Sequence, residues 1–130
     1  MVADTQYLVD TTILVDFLRG RKEAKTWLEG FPEGGLAISV ITAAELLAGC
    51  HNKQEQKRLE AELEQYDLVL TSTAISSTAW EWYRQHRLSD GVGFFDCLIG
   101  ASAYHCGLTV CTLNDKHFRP LPELRVERPY

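Results

Sequence analysis

The sequence predicts an α/β domain: a mainly parallel sheet of four to five strands between helical layers, a three-layer α/β/α arrangement. Three observations predict it. Short apolar runs alternate with stretches at helical spacing along the chain, the order that successive βα units impose. The first run, Tyr7-Leu8-Val9, is apolar and reads as buried, as strands of a sheet covered on both faces are. No repeat, linker or low-complexity tract interrupts the 130 residues, so residues 1–130 are read as one domain, large enough for a real core.

The elements follow in order. Tyr7 to Asp10 is a short strand. Thr11 or Thr12 then caps a helix through Arg19, with Ile13, Leu14, Phe17 and Leu18 at helical spacing and Gly20 as terminator. A second helical piece runs from about Glu23 to Glu29 and is closed by Gly30 and Pro32. Leu36 to Ser39 is a strand, and Val40 to Cys50 a helix. Lys53 to Tyr66 is an amphipathic helix with Leu59, Leu63 and Tyr66 spaced i, i+4, i+7. Leu68 to Leu70 is a third strand. A long helix from Thr73 to Leu88 carries Ile75, Ala79, Trp80, Trp82 and Tyr83, aromatics read as packing rather than as base-stacking platforms. Phe94 to Tyr104 is an apolar helix of small residues, and strands follow at Leu108 to Thr112 and Leu124 to Glu127.

Ligands of such sheets bind beyond the carboxyl ends of the strands, where Asp10 and Asn114-Asp115 fall. Three acids interrupt stretches that otherwise read as buried. Asp10 ends the first strand, Glu45 is the only charge between Gly35 and Gly49, and Asp96 is the only charge from Gly91 to Tyr104. A lone buried carboxylate is costly, whereas several converging on a shared cation are tolerable. Oxygen-only ligands point to a hard ion, Mg²⁺ or Mn²⁺, and so to phosphate chemistry.

Each acid also has a plainer explanation. Asp10 can cap the first helix, although the threonines at 11 and 12 can do that work instead. Thr42-Ala43-Ala44-Glu45 fits a capping box, but Ser39 is the better-placed cap and would set Glu45 about six residues inside the helix, a buried carboxylate needing a partner. Asp96 in a first helical turn gains roughly 0.3–1 kcal/mol from the helix dipole; the same amides would depress its pKa and keep it ionised. Asp115 lies in a plausible turn, Thr112-Leu113-Asn114-Asp115. Asp16 is most simply a surface ion pair with Arg19, and Asp4 and the acids of Glu55 to Glu64 are solvated charge.

The bulk properties narrow the field. A hydrophobic content of 45% and a charged content of 24% are ordinary for a soluble domain. No apolar run nears the roughly 18 residues of a membrane span. The opening residues lack the basic and apolar regions of a secretion signal. The four cysteines form no Cys-x-x-Cys pair, so a reduced, cytoplasmic protein is expected. A net charge of −5 argues mildly against nucleic-acid binding, but bound ions would cancel part of it. Basic residues bunch at Arg19, Arg21, Lys22 and Lys25 and at Lys116, His117 and Arg119, groups read as solvated loops before phosphate tracks. The histidines show no metal-ligand spacing, and no phosphate-binding glycine loop or nucleophile elbow is present.

Four segments together resemble the PIN-domain ribonucleases, in particular VapC-type toxins of bacterial toxin–antitoxin pairs. They are Leu8-Val9-Asp10-Thr11-Thr12-Ile13-Leu14-Val15-Asp16-Phe17-Leu18-Arg19-Gly20, then Ile38 to Gly49 around Glu45, then Phe95-Asp96-Cys97-Leu98-Ile99-Gly100-Ala101, and Leu108 to Phe118. The resemblance implies a PIN-like fold and a metal-dependent endoribonuclease, the toxin of a type II system, that cleaves RNA by metal-activated water. Asp10, Glu45 and Asp96 would bind Mg²⁺ or Mn²⁺ and act in catalysis. Asp115 would join them as a catalytic acid, with Thr12 and Asn114 in support; Asn114 occupies the slot where relatives carry either an acid or an asparagine. It also implies a homodimer and a VapB-type antitoxin that covers the acidic pocket, held in part by the helices around Glu23 to Glu29 and Lys53 to Tyr66. Two alternatives stand beside it: an inactive PIN scaffold serving as a binding module, and a Mg²⁺-dependent receiver or phosphatase-like domain. The latter would want an acidic pair beside the first strand.

Overall fold

The computed structural model describes residues 5–31 and 34–130. Asp4, read as solvated charge, and Pro32, read as a helix stop, lie outside the described residues. In chain order the elements are β1 (Tyr7–Val9), α1 (Thr11–Leu18), α2 (Lys22–Glu29), β2 (Leu36–Ser39), α3 (Val40–Ala48), α4 (Lys53–Leu63), β3 (Asp67–Val69), α5 (Thr73–Asp90), α6 (Phe94–Cys106), β4 (Thr109–Cys111), α7 (Asp115–Phe118) and β5 (Val126–Glu127).

The five strands form one sheet in the order β3-β2-β1-β4-β5, and every pairing is parallel. Successive side chains of a strand point to opposite faces, and the core divides accordingly. Leu8, Ala37 and Val110 face one cluster, shared with Ile75, Ala79 and Trp82 of α5 and Cys97, Leu98 and Ile99 of α6. Val9, Leu36, Ile38 and Cys111 face the other, with Ile13, Leu14, Leu28, Leu46 and Leu59 from the first four helices. Three layers follow from this alternation. Leu8, Val9, Ile13 and Val110 are wholly buried, and each contributes roughly 1.5–3 kcal/mol relative to an exposed side chain.

Local signals place most boundaries. Ser39, Asn52 and Ser72 each accept a backbone N–H at the start of α3, α4 and α5, from Ile41, Glu55 and Ile75. Gly91 and Gly107 end α5 and α6 with φ of +67° and +68°, the left-handed conformation that costs glycine nothing. The buried run Gly100-Ala101-Ser102-Ala103 lets α6 approach closely: a Cβ on Gly100 would stand 3.1 Å from both Leu121 and Leu124.

Several expectations are corrected. The third strand is Asp67–Val69 rather than Leu68–Leu70, and Leu70 is 65% exposed beyond this sheet edge. The segment after Asn114 forms the one-turn helix α7, anchored by the fully buried Phe118, where a turn was expected. Of the aromatics read as core and interface packing, Trp82 packs in the core and Trp80 is exposed. All four cysteines are free, and among the described residues no helix is long and apolar enough to cross a membrane.

Candidate active site

Parallel pairing of β1 with β4 sets the centre of the site. Val9 faces Cys111 in register, and the Asp10 N–H donates to the Cys111 carbonyl at 2.9 Å, so Asp10 and Thr112 leave the sheet side by side. Asp10 holds the N-cap position of α1, a place expected of Thr11 or Thr12, yet its side chain caps nothing. Instead its Oδ2 accepts from the Thr112 hydroxyl at 2.8 Å and the Thr12 hydroxyl at 2.9 Å. Those hydroxyls accept in turn from the N–H groups of Asn114 and Leu113, at 2.9 and 3.2 Å. Asp10 is only 3% exposed and Thr112 is wholly buried, so the Thr112 side of this clamp on one carboxylate oxygen is dry, while the Thr12 side is half-buried. Among the described residues, Oδ1 has no protein donor.

Glu45 enters from α3. Ser39 caps that helix, which disposes of the capping box and makes Glu45 its sixth residue. The expectation of a buried carboxylate is overturned: Glu45 is exposed, because α3 turns this side toward an open cavity rather than the core. Its Oε1 accepts from the Thr11 hydroxyl at 2.9 Å. Partial desolvation raises its carboxyl above the ordinary 4.5; the Thr11 bond opposes this, and the charges of Asp10 and Asp96 add to it.

Asp96 is the third residue of α6, behind Gly93, and is half-buried. Its carboxyl is raised, not depressed by the helix end as expected. Burial is the main cause and the Asp10 charge the second, with His117 opposing both. The His117 Nδ1 lies 3.3 Å from Asp96 Oδ2 and 2.8 Å from Asn114 Nδ2. In the neutral Nε2–H tautomer Nδ1 accepts from Asn114, and it donates to Asp96 only when it carries a proton.

Asn114 lines the cavity. Asp115, expected as a catalytic acid, points elsewhere: Arg119 holds its carboxylate at 3.1 Å and Arg128 at 3.4 Å. The Arg119 hydrogen bond keeps its carboxyl below the usual carboxylate range. Sequence reasoning passed over three members of the site. Thr112 reads as a strand end and turn residue and His117 as loop charge, both within the fourth segment but with no role of their own. Asp16 lines the cavity and pairs with Arg21 at 3.0 Å and the Tyr130 hydroxyl at 3.1 Å, not with Arg19. The Thr12, Asp16 and Arg19 spacing, one face of a helix, was the available signal for Asp16.

Asp10, Glu45 and Asp96 thus border one cavity of about 500 Å³ at the carboxyl ends of β1 and β4. Among the described residues no three Asp, Glu, His or Cys side chains stand close enough together to hold a metal ion as placed. Their chemistry nevertheless fits one. Asp10 and Glu45 each have one oxygen engaged by threonine hydroxyls, Asp96 has one oxygen facing His117, and in all three the second oxygen has no protein donor among the described residues. Two of them are strained toward protonation by burial and by their neighbours' charge, strain that a cation would relieve.

The PIN domain family model matches residues 7–124. The chain is similar to Ribonuclease VapC10 of Mycobacterium tuberculosis, 33% identical over 120 residues that cover 91% of this chain and 90% of the relative. It is also similar to Ribonuclease VapC1 of Methanocaldococcus jannaschii, 31% identical over 124 residues, 92% and 84% of the two chains. Among solved structures, a toxin–antitoxin complex from Klebsiella pneumoniae superposes with a TM-score of 0.81 at 31% identity, covering 96% and 98% of the two chains. VapBC2 from Rickettsia felis, bound to a DNA fragment from its promoter, gives 0.78 at 27% identity, covering 95% and 98%.

Proposed function

The chain belongs to the PIN domain family, and we propose that the cavity bordered by Asp10, Glu45 and Asp96 is where it hydrolyses RNA phosphodiesters. It is a VapC-type endoribonuclease, the toxin of a toxin–antitoxin pair with a VapB-type partner. Relatives named ribonucleases, 31–33% identical across nine-tenths of the chain, support the activity. Similarity to a toxin–antitoxin complex at 31% identity supports the partner. The observation that carries the site assignment is the delivery of carboxylates from β1, α3 and α6 to one cavity at the strand ends.

Asp10, Glu45 and Asp96 would hold Mg²⁺ or Mn²⁺, which when bound supplies a Lewis acid, a water of lowered pKa and charge to stabilise the developing oxyanion. The protein's own part is positioning. Thr12 and Thr112 make Asp10 the fixed point, since two donors on Oδ2 leave Oδ1 a single direction. His117 orients Asp96 when its Nδ1 carries a proton, and Asn114 holds the same ring when it does not. Arg19, on the cavity wall, offers a guanidinium to a substrate phosphate.

The antitoxin reading gains a route. A groove of about 590 Å³ between α1, α3 and α4 is lined by Leu18, Leu46 and Leu59 and also by Val15, Arg19 and Glu45, which border the acidic cavity. A partner segment lying in that groove would reach and cover the cavity. The exposed Trp80, Leu88 and Phe95 of α5 and α6 support a homodimer, and four free thiols fit a reducing cytoplasm. The receiver-like alternative wants an acidic pair after β1, where Asp10 is followed by Thr11.

The test is cleavage of total RNA by the purified chain with Mg²⁺ or Mn²⁺. Asp96→Asn and Glu45→Gln should abolish cleavage while circular dichroism stays unchanged. Variants that cut as fast as the parent would remove these residues from the site, and a folded parent that never cuts would favour the inactive scaffold.

A further inference from the structure

We propose that Arg128 is a positioning residue for Asp10, acting through the Leu113–Asn114 peptide group and the Thr112 hydroxyl. The inference rests on the metal-dependent reading of this same cavity. Arg128 Nη1 donates to the Leu113 carbonyl at 3.0 Å. Across the same peptide group the Asn114 N–H donates to Thr112 Oγ1 at 2.9 Å, and Thr112 Oγ1 donates to Asp10 Oδ2 at 2.8 Å.

The two ends of this chain fix its direction. A guanidinium and a backbone N–H can only donate, and an ionised carboxylate can only accept. The one hydroxyl between them accepts from Asn114, and its single proton goes to Asp10. Every link therefore runs from the cation toward the carboxylate, and bonds aligned in this way polarise and strengthen one another. Thr112 is wholly buried and Asp10 nearly so, which keeps water from competing at the inner end.

The sheet builds the outer end. β5 pairs with β4, and the Thr112 N–H donates to the Glu127 carbonyl at 3.0 Å, so the chain leaves β5 with Arg128 beside Leu113. Pro129 biases Arg128 toward extended backbone. The Arg128 side chain is half-exposed, yet it is held in place. Its Nε donates to the Tyr130 main-chain oxygen at 3.1 Å. Tyr130 is fixed in turn by its hydroxyl bond to Asp16 at 3.1 Å and by the Arg21 guanidinium, 5.0 Å from its ring centre. Without Arg128 the Leu113–Asn114 peptide plane can tilt, and the Asn114 N–H swings off the line that turns the Thr112 proton toward Asp10.

The test uses the full chain as wild type, Arg128→Ala, Thr112→Val, the double variant and Asp115→Asn. Folding is checked by circular dichroism, Mn²⁺ affinity without RNA by electron paramagnetic resonance, and kcat and KM on one RNA substrate. Thr112→Val should lose roughly 10–100-fold in Mn²⁺ affinity and in kcat, the range typical of a partner that touches a metal-binding group. Arg128→Ala, two links farther out, should lose about three- to tenfold in both, with KM for RNA little changed. In the Thr112→Val background the same change should cost nothing further, since the link it acts through is gone. Asp115→Asn, which alters only the other Arg128 contact on this side, should match wild type. Mere loss of a positive charge beside an acidic cavity would tighten Mn²⁺ binding, and loss of an RNA contact would raise KM alone. Either result for a folded Arg128→Ala overturns the proposal. So do a wild-type Mn²⁺ affinity, an equal loss in both backgrounds, and an Asp115→Asn variant as impaired as Arg128→Ala. If Thr112→Val does not fold, methylguanidinium added to Arg128→Ala carries the test: restored Mn²⁺ affinity supports the chain, and no restoration beyond that given by methylammonium overturns it. Wild type that is folded yet neither binds Mn²⁺ nor cleaves RNA overturns the metal-dependent reading itself, and the role of Arg128 with it.

Discussion

Replacing Thr112 with valine tests the clamp on Asp10 with little change of shape. The hydroxyl lost donates to a carboxylate at 2.8 Å between two residues that are 0% and 3% exposed. A hydrogen bond to a charged group is worth about 1.5–3 kcal/mol, and a stranded polar group about 1 kcal/mol more. The Asn114 N–H, which donates to the same hydroxyl, is the group left stranded. Valine fills the same volume, so no cavity cost is added. Thr112→Val should therefore lower stability by about 2–4 kcal/mol, a large part of the 5–15 kcal/mol typical of a domain. Thr12→Val should cost about 1 kcal/mol, since this residue is only half-buried and water can replace its hydroxyl. The assay is urea unfolding in EDTA at neutral pH with a check that the m-value is constant. The same substitution in an Asp10→Asn background should cost only about 1–2 kcal/mol, because the acceptor there is neutral. A loss under about 0.5 kcal/mol, or an equal loss in both backgrounds, would refute the idea that the Thr112 hydroxyl clamps Asp10.

Two further outcomes follow from the geometry. The Asp96 carboxyl is raised above its ordinary 3.8, mainly by burial. Its contribution to stability is therefore intact below about pH 4 and lost as pH rises through the raised value. In chelator at neutral pH, Asp96→Asn should thus be more stable than wild type, with the gap vanishing at low pH; equal stability across that range would count against the strain. At the fourth position, Asn114→Ala should lower cleavage at least roughly tenfold, as loss of an orienting partner does, while Asp115→Asn keeps the wild-type rate. The reverse pattern in an RNA cleavage assay would return the role to Asp115.

Much of this arrangement was legible locally. Buried apolar runs gave away β1 and β2, and Ser39 after Leu36-Ala37-Ile38 gave the start of α3 and hence the place of Glu45. Asp10, Glu45 and Asp96 stood out because each interrupted an apolar stretch, a signal that needs no tertiary knowledge. What failed to show depends on distant partners. Asp115 is taken out of the site by Arg119, four residues along the chain, and further by Arg128, which reaches it because β5 pairs with β4. Asp16 is claimed by Arg21 and by Tyr130, 114 residues away, rather than by its helical neighbour Arg19. Thr112 gains its role only when parallel pairing sets it beside Asp10. Periodicity records which face of an element is apolar, not which elements meet.

The wall formed by Val15, Arg19 and Glu45 has two sides, one on the apolar groove and one on the acidic cavity. Occupants of the two sides contend for the same three side chains, so their binding free energies are coupled, and the coupling is reciprocal. Whatever factor an inhibitor in the groove takes from substrate affinity, saturating substrate takes from the inhibitor. Silencing by such a partner is then a competition decided by relative concentrations and dissociation rates. Restoring activity requires only that the inhibitor's supply fall, with no second conformation of the enzyme.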